Sequence, residues 1–276
     1  MNRVGIIGFP LSHTLSPAMH NAAFRALGMN DWLYDAMEIP PDIPRHAVEE
    51  PRRHGYIGLN VTIPFKETSM RYCVPDEKAR AIGAVNTIDF RNDVGTNTDV
   101  DGLIGDLLAH EVRLQGETVI VLGAGGAARA AVYGLWQQGA RVLIVNRSRE
   151  RAEQLLMQLT ISAGLRDAEV VTLDEAAERD VSLIVNCTPV GMYPHVDASP
   201  WIAGVPLPRH VTVYDTIYRP EQTRLMAQVE QAGGRALGGL GMLVRQGAKA
   251  FEIWTGRPAP VEVMFQACRD ALSSRS

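Results

Sequence analysis

Apolar residues along the chain form short runs rich in β-branched residues, separated by longer stretches in which apolar positions recur at helical spacing. The clearest example spans residues 118–148. It opens with the run Thr-Val-Ile-Val-Leu, passes through a glycine turn into a helical segment ending near Gly139, and closes with a second apolar run over residues 141–145. Strand, turn, helix and strand at this length form one βαβ unit, so the pattern predicts an α/β protein with a parallel sheet.

The N-terminal part shows the same alternation. Strands are predicted over residues 4–8, 32–39 and 55–63. Ser16 is expected to cap the first helix, because Pro17 suits the first helical position. A second, short helix begins near Ile43 and is expected to stop at Pro51.

Lys66 is a candidate acid–base residue. Pro64 is expected to open a helix that carries Lys66 in its first turn. The helix dipole disfavours a lysine at that position, which favours an acid–base function as the reason for its presence. An ordinary surface lysine paired with Glu67 or Glu77 explains the sequence equally well. Asp99 also has two interpretations, because it can cap the helix that follows it or face Lys66.

Two predicted strands in the second half of the chain end in polar segments. The strands over residues 181–186 and 211–215 are followed by Cys-Thr-Pro-Val-Gly-Met and by Thr-Ile-Tyr-Arg-Pro. Ligands of open α/β sheets bind at the carboxyl ends of the strands, so both segments are candidate binding loops. Helices are predicted over residues 149–159, 222–231, 242–255 and 258–271.

The glycine turn of the βαβ unit has the pattern G-x-G-x-x-A. Gly123 permits the tight turn, Gly125 lets a pyrophosphate approach the backbone, and Ala128 is small enough for the helix to pack against the sheet. The N–H groups and dipole at the start of the helix favour phosphate. The turn therefore predicts a dinucleotide site. The alternative is a glycine turn that binds nothing.

The end of the second strand of this unit distinguishes the two nicotinamide cofactors. An NAD site usually places an Asp or Glu there to accept a hydrogen bond from the ribose 2′-hydroxyl. This chain has Asn146-Arg147-Ser148-Arg149 and then Arg151, and arginine pairs with phosphate. The segment favours NADP(H) over NAD. A solvated basic helix start is the alternative.

Composition excludes several classes of protein. The net charge of −4 over 276 residues does not indicate a nucleic-acid surface. The sequence contains no run of 18 apolar residues, so no membrane-spanning helix is expected. Residues 1–8 are typical of a strand and turn rather than of a signal peptide. Cys73, Cys187 and Cys268 are odd in number and widely spaced, which favours a reducing, cytoplasmic setting. Without an H-E-x-x-H or C-x-x-C pattern, no metal site is expected.

Several longer motifs follow one another in a characteristic order. They are Pro-Leu-Ser-His-Thr-Leu-Ser-Pro over 10–17 with His20 and Asn21, Asn-Val-Thr-Ile-Pro-Phe-Lys-Glu over 60–67, Gly-Ala-Val-Asn-Thr over 83–87, Asn-Thr-Asp over 97–99, the glycine turn over 123–127, Asn-Arg-Ser over 146–148, and Gly-Met-Leu-Val over 241–244 with Gln246. With these motifs the chain resembles the shikimate dehydrogenase family over nearly its whole length. The resemblance implies an N-terminal α/β substrate domain (residues 1–101 and 238–276) and a Rossmann-like NADP-binding domain (residues 102–237), with the C-terminal helices packing back on the first domain.

The resemblance also implies an activity, partners and site residues. The activity is reversible, NADPH-dependent reduction of 3-dehydroshikimate to shikimate, a step of aromatic amino acid biosynthesis, in a cytoplasmic monomer or homodimer whose partner is the small-molecule acid. Lys66 and Asp99 match the catalytic pair. The implied substrate contacts are Thr14, Ser16, Asn60, Thr62, Asn86, Tyr218 and Gln246. The implied cofactor contacts are Glu77, Gly123, Ala124, Gly125, Gly126, Ala127, Asn146, Arg147, Ser148, Arg151, Thr188, Thr216 and Gly239.

Two positions depart from the family pattern. Thr14 stands where these enzymes usually carry Ser, and Gly238 stands where an Asp commonly precedes the Gly-x-Gly-Met turn. A paralogue acting on quinate or an aminoshikimate-like acid therefore stays open. A non-catalytic NADP(H)-binding sensor is the alternative of another class, although a sensor would not require both Lys66 and Asp99. A glutamyl-tRNA reductase-like protein would need a nucleophilic cysteine, and Cys73 lies in no such motif.

Overall fold

The computed structural model describes residues 1–274 and divides the chain into two compact units. The first unit contains Met1–Gly102 and the chain from Leu243 onwards, and the second contains Leu103–Met242. Residues 275 and 276, which the sequence places in the first predicted domain, lie outside the described residues. No helix in the described part of the chain is long and apolar enough to cross a membrane.

The first unit is built on a mixed six-stranded sheet. Its strands are β1 (Asn2–Gly8), β2 (Trp32–Glu38), β3 (Tyr56–Val61), β4 (Val74–Pro75), β5 (Thr87–Asp89) and β6 (Val94–Thr96), in the spatial order β2-β1-β3-β5-β6-β4. The first three strands of that order pair in parallel, and β5 runs antiparallel to both neighbours. One hydrophobic core cluster of this unit contains Ile7 of β1 and apolar residues of β3 together with Phe65 and Ile88.

Helices cover the first sheet and connect the two units. They are α1 (Ser16–Ala26), α2 (Pro44–Arg53), a 3₁₀ turn (Thr68–Arg71), α3 (Glu77–Ile82) and α10 (Val261–Ser273), while α4 (Asp99–Ala109) and α9 (Leu240–Thr255) each begin in one unit and end in the other. The predicted stop at Pro51 is wrong, because α2 continues to Arg53. A proline so near the end of a helix removes only one backbone hydrogen bond.

The helix predicted to start at Ser16 and Pro17 is confirmed, but the predicted capping role of Ser16 is wrong, and so is the helix predicted to start at Pro64. Ser16 is the first helical residue, preceded by Leu15 at the cap position, and its side chain makes no capping bond. No helix opens at Pro64, because a turn closed by the Phe65 N–H on the Thr62 carbonyl (2.9 Å) buries the Phe65 ring in the core. The dipole argument for Lys66 therefore does not hold.

The second unit is a parallel six-stranded sheet with helices. Its strands are β7 (Thr118–Leu122), β8 (Arg141–Val145), β9 (Ala168–Val170), β10 (Leu183–Asn186), β11 (Thr212–Asp215) and β12 (Arg235–Gly238), and its helices are α5 (Gly126–Gln137), α6 (Arg149–Ala163), α7 (Leu173–Ala177) and α8 (Arg224–Gln231). The predicted βαβ unit is confirmed. The spatial order β12-β11-β10-β7-β8-β9 is the doubly wound Rossmann order, with the switch point between β7 and β10. Sequence reasoning missed α7 and β12, both of which are short.

Candidate active site

Lys66 and Asp99 form an ion pair in the first unit. The Lys66 Nζ donates to Asp99 Oδ2 at 2.6 Å, and the two side chains are only 14% and 5% exposed. Lys66 lies in the turn after β3, and Asp99 is the first residue of α4. The lysine therefore pairs with Asp99 rather than with Glu67 or Glu77. Two charges this far removed from water require close pairing and further hydrogen bonds to be stable.

Asn86 supplies one of those further hydrogen bonds. Its Nδ2 donates to Asp99 Oδ1 at 2.9 Å, and its Oδ1 accepts from the Thr98 backbone N–H at 2.7 Å. Because the backbone N–H can only donate, the orientation of the Asn86 amide is determined. Gln246 of α9 lies next to it, with Oε1 at 3.5 Å from Asn86 Nδ2. Four predicted site residues are thus in one hydrogen-bonded group.

Asn60 is held beside this group by a residue that sequence reasoning missed. The buried phenol of Tyr34 donates to Asn60 Oδ1 at 2.7 Å, and Asn60 Nδ2 donates to Thr87 Oγ1 at 3.1 Å. Burial raises the pKa of the Tyr34 phenol well above its ordinary value, so the group stays protonated. A tyrosine within an apolar strand was the available signal, because a buried phenol usually has a polar partner.

The remaining predicted contacts of the first unit lie on its loops. Thr14 Oγ1 accepts from the Ser16 backbone N–H at 3.3 Å, so Thr14 rather than Ser16 takes up a free N–H at the start of α1. Thr62 follows β3, half-buried, and its backbone N–H donates to the Ile7 carbonyl at 2.9 Å. Glu77 is an exposed residue in the first turn of α3.

The glycine turn of the second unit has the geometry of a phosphate cradle. Gly123 has a φ of +117°, and a Cβ there would lie 3.3 Å from the Cys187 backbone. Gly125 precedes α5, and a Cβ added to it would meet no atom within 4 Å. The backbone of the turn, which continues through Ala124, Gly126 and Ala127, is therefore open to a ligand at the start of a 12-residue helix.

The segment after β8 carries three arginines, two of which have no carboxylate partner among residues 1–274. Ser148 caps α6 by accepting from the Arg151 N–H at 3.4 Å, and Asn146 Nδ2 donates to the Ser148 carbonyl at 2.8 Å. Arg149 is paired with Glu153 at 2.8 Å. The guanidinium groups of Arg147 and Arg151 are exposed and have no acidic partner among residues 1–274. This donor set fits a phosphate monoester.

A buried pair of polar residues connects the loops after β10 and β11. Asn186 Nδ2 donates to Asp215 Oδ1 at 3.0 Å, and both residues are fully buried. Burial raises the pKa of the Asp215 carboxyl to about 6, although its hydrogen bonds from Thr223, Ile217 and Asn186 act in the opposite direction. Sequence reasoning placed these two residues only as strand ends.

The other predicted residues of the second unit surround that pair. Thr188 and Thr216 both hydrogen-bond Asn186, and the Gly239 N–H donates to the Ile217 carbonyl at 3.1 Å. A Cβ at Gly239 would collide with the backbone of Thr216. Tyr218 is half-buried on the segment that follows β11.

Comparison with known protein families shows matches along most of the chain. Residues 6–88 match the model of the shikimate dehydrogenase substrate binding domain, residues 106–188 that of shikimate / quinate 5-dehydrogenase, and residues 239–269 that of the shikimate 5'-dehydrogenase C-terminal domain. The chain is 43% identical to the shikimate dehydrogenase (NADP(+)) of Methanocella arvoryzae over 99% of this chain and 100% of that protein.

Two solved structures bear on the ligands. The shikimate 5-dehydrogenase of Thermus thermophilus, in complex with NADP(H) and shikimate, is 37% identical and superposes with a TM-score of 0.86 over 98% of this chain and 100% of its own. The quinate dehydrogenase of Corynebacterium glutamicum, in complex with NAD, is 26% identical with a TM-score of 0.85 over 98% and 99% of the two chains. The fold alone therefore does not separate the two activities.

Proposed function

Because the chain belongs to the shikimate dehydrogenase family, we propose that it catalyses the reversible, NADP-dependent reduction of 3-dehydroshikimate to shikimate. Relatives at about this identity carry that name, and a structural neighbour was solved with both ligands. The observation that carries the proposal is the buried Lys66–Asp99 ion pair, whose carboxylate also accepts a hydrogen bond from the Asn86 amide. A polyhydroxylated ring acid requires such a site.

In the proposed mechanism Lys66 handles the proton. Bound NADPH would supply the hydride that the carbon of the ring carbonyl accepts, and the π electrons of that carbonyl would move to its oxygen. The Lys66 ammonium donates a proton to that oxygen, and in the reverse direction the neutral amine removes it. Asp99 orients the Lys66 amine through the 2.6 Å hydrogen bond.

The amide and hydroxyl groups of the first unit are proposed to hold the ring. Thr14 and Ser16 would bind the carboxylate, while Asn60, Thr62, Asn86 and Gln246 would bind hydroxyl groups, with Tyr218 as a further contact. The fixed amide of Asn86 supports this role, because an orientation that is determined before binding lowers the entropy lost on binding.

The proposed cofactor contacts follow the chemistry of the second unit. The open backbone over residues 123–127 would bind the pyrophosphate, and Arg147 and Arg151, with Asn146 and Ser148, would bind the 2′-phosphate. Thr188, Thr216 and Gly239 would contact the rest of the cofactor, with Glu77 as an additional contact.

The test follows NADP⁺ reduction by absorbance, with shikimate and quinate compared and NAD⁺ as the control cofactor. We expect fast turnover with shikimate and NADP⁺. Turnover chiefly on quinate would contradict the substrate and indicate that Thr14 and Gly238 mark a paralogue.

The role of Lys66 is tested with Lys66→Ala. Removing a positioned acid–base group should lower kcat by about 10²- to 10⁴-fold with a smaller change in KM. Lys78→Ala is the matched control, because Lys78 also forms a 2.6 Å ion pair, with Asp101, in the same unit. NADP⁺ binding measured on both variants verifies that the protein is folded. An unchanged kcat in Lys66→Ala would rule out the proton-transfer role.

We also propose a cytoplasmic monomer or homodimer that binds neither nucleic acid nor membranes. The three cysteines, which form no disulfide, and the net charge of −4 support this assignment. Sedimentation equilibrium would measure the oligomeric state, and a species larger than a dimer would contradict it.

A further inference from the structure

Asn186 hydrogen-bonds two of the predicted cofactor residues at once. Its Oδ1 accepts from the Thr188 N–H at 3.0 Å and from the Thr188 hydroxyl at 2.7 Å. Its backbone carbonyl accepts from the Thr216 N–H at 3.0 Å and from the Thr216 hydroxyl at 2.8 Å. One buried residue therefore holds the first turn of both loops, after β10 and after β11.

Asp215 holds Asn186 in that orientation. Its Oδ1 accepts from Asn186 Nδ2 at 3.0 Å and from the Ile217 N–H at 3.1 Å, and its Oδ2 accepts from the Thr223 hydroxyl at 2.7 Å. A carboxylate can only accept, so the amide nitrogen of Asn186 must face Asp215 and its oxygen must face Thr188. The two side chains form one rigid unit, which we call the Asn186–Asp215 pair.

The hydrogen bonds leave both threonine hydroxyls as acceptors. Each hydroxyl has one proton, and in Thr188 and Thr216 that proton is directed to Asn186. Thr188 Oγ1 also accepts from the Val190 N–H at 3.3 Å. Only oxygen lone pairs remain on the half-buried sides of these residues, and they suit a ligand group that donates N–H.

The order of the strands indicates which part of the cofactor this is. The arginines follow β8, the glycine turn follows β7, and the two threonines follow β10 and β11 on the opposite side of β7. If the 2′-phosphate lies at β8 and the pyrophosphate at β7, the nicotinamide half extends over β10 and β11. Its carboxamide is the group there that carries N–H donors.

We infer that the Asn186–Asp215 pair positions the nicotinamide end of the cofactor by presenting Thr188 and Thr216 as acceptors to its carboxamide. This rests on the proposed NADP site and adds two positioning residues to it. Neither residue contacts substrate or reacting atoms in this assignment, because both are fully buried.

The first test compares two ligands by calorimetry: NADP⁺ and 2′,5′-ADP, which contains the 2′-phosphate but no nicotinamide. Asn186→Asp places a second carboxylate against Asp215, and we expect a loss of NADP⁺ affinity of about fivefold or more, since one or more hydrogen bonds are lost. The affinity for 2′,5′-ADP should stay within about twofold. Adding Asp215→Asn restores a donor–acceptor contact and should recover part of the loss.

The controls separate positioning from a general loss of stability. Thr172→Ala removes the capping box of α7 in the same unit and should lower Tm without changing the ratio of the two affinities. Equal weakening of both ligands by Asn186→Asp, no weakening of NADP⁺, or no recovery in the double variant would each overturn the inference. Wild-type protein that binds neither ligand would refute the proposed function as well.

A second measurement tests the acceptor role directly. The 3-acetylpyridine analogue of NADP⁺ has a methyl group in place of the amide nitrogen and cannot donate. Wild-type protein should bind NADP⁺ several-fold more tightly than the analogue, and Thr216→Val should reduce that preference. A preference that is unchanged in Thr216→Val and in Thr188→Val would refute the acceptor role, whatever the first test shows.

Discussion

His20 should make the stability of this protein depend on pH. Its ring is fully buried and stacks on the Tyr34 ring with centroids 4.3 Å apart and an interplanar angle of 2°. Neither ring nitrogen has a hydrogen-bond partner among residues 1–274. Burial lowers the pKa of His20 from 6.5 to about 3, so the folded protein keeps the imidazole neutral where the unfolded chain protonates it.

The sign and size of the effect follow from that pKa difference. The unfolded state binds the proton first, so stability is fully present above pH 6.5 and is lost as the pH falls towards 3. Each pKa unit corresponds to about 1.4 kcal/mol, so the full interval is worth roughly 5 kcal/mol, and about 3 kcal/mol is lost by about pH 4.5.

His20→Leu is the informative substitution. It removes the titrating group and both unpaired nitrogens at similar volume, while it loses the stacking on Tyr34, worth about 1 kcal/mol. We expect a free energy of unfolding within about 1 kcal/mol of wild type at neutral pH, and a variant more stable than wild type at about pH 4.5. Urea denaturation at both pH values measures this.

The comparison isolates His20 because every other titrating group is shared. His54→Gln is the control for replacing a histidine, since the His54 side chain is 67% exposed. If His20→Leu loses as much stability as wild type between neutral pH and about pH 4.5, the reasoning about His20 is refuted.

Two further predictions concern the second unit. Arg151→Ala should raise the KM for NADP⁺ by about tenfold or more and reduce the preference for NADP⁺ over NAD⁺, because a charge-assisted hydrogen bond to the 2′-phosphate is lost. Arg149→Ala is the control, since Glu153 already pairs with Arg149. Equal KM values in the two variants would contradict the assignment of Arg151 to the 2′-phosphate. Gly239→Ala should destabilise the protein by about 1–3 kcal/mol through its collision with Thr216. Gly238→Ala should be nearly neutral, because its Cβ would lie 3.6 Å from the nearest atom, and similar Tm values for the two alanine variants would refute that distinction.

Local patterns determined much of the fold. The apolar runs and the glycine turn of the βαβ unit lie within 31 consecutive residues (118 to 148), and β7, α5 and β8 appear where the sequence predicts them. The reason is that strand alternation, helical spacing and the turn glycines act over short distances. The short elements β4, β6, α7 and β12 were missed because each contains too few residues to show a period.

The candidate catalytic pair was accessible from the sequence only through the family resemblance. Local reasoning placed Lys66 at a helix start that does not exist, and it left Asp99 with two interpretations. Their ion pair joins residues 33 positions apart, and no spacing rule specifies such a contact. The family motifs indicated that Lys66 and Asp99 act as a pair, because the motifs reflect a tertiary structure that neither residue indicates by itself.

The buried polar contacts were decided by tertiary structure alone. Tyr34 on β2 donates to Asn60 on β3, and Asn186 on β10 donates to Asp215 on β11. In the sequence each of these residues is a polar position within or at the end of an apolar strand. Strands β10 and β11 are neighbours, whereas β2 and β3 lie on either side of β1. Which polar groups meet therefore depends on the order of the strands in the sheet and on their register, and the burial of the apolar faces of each unit determines both.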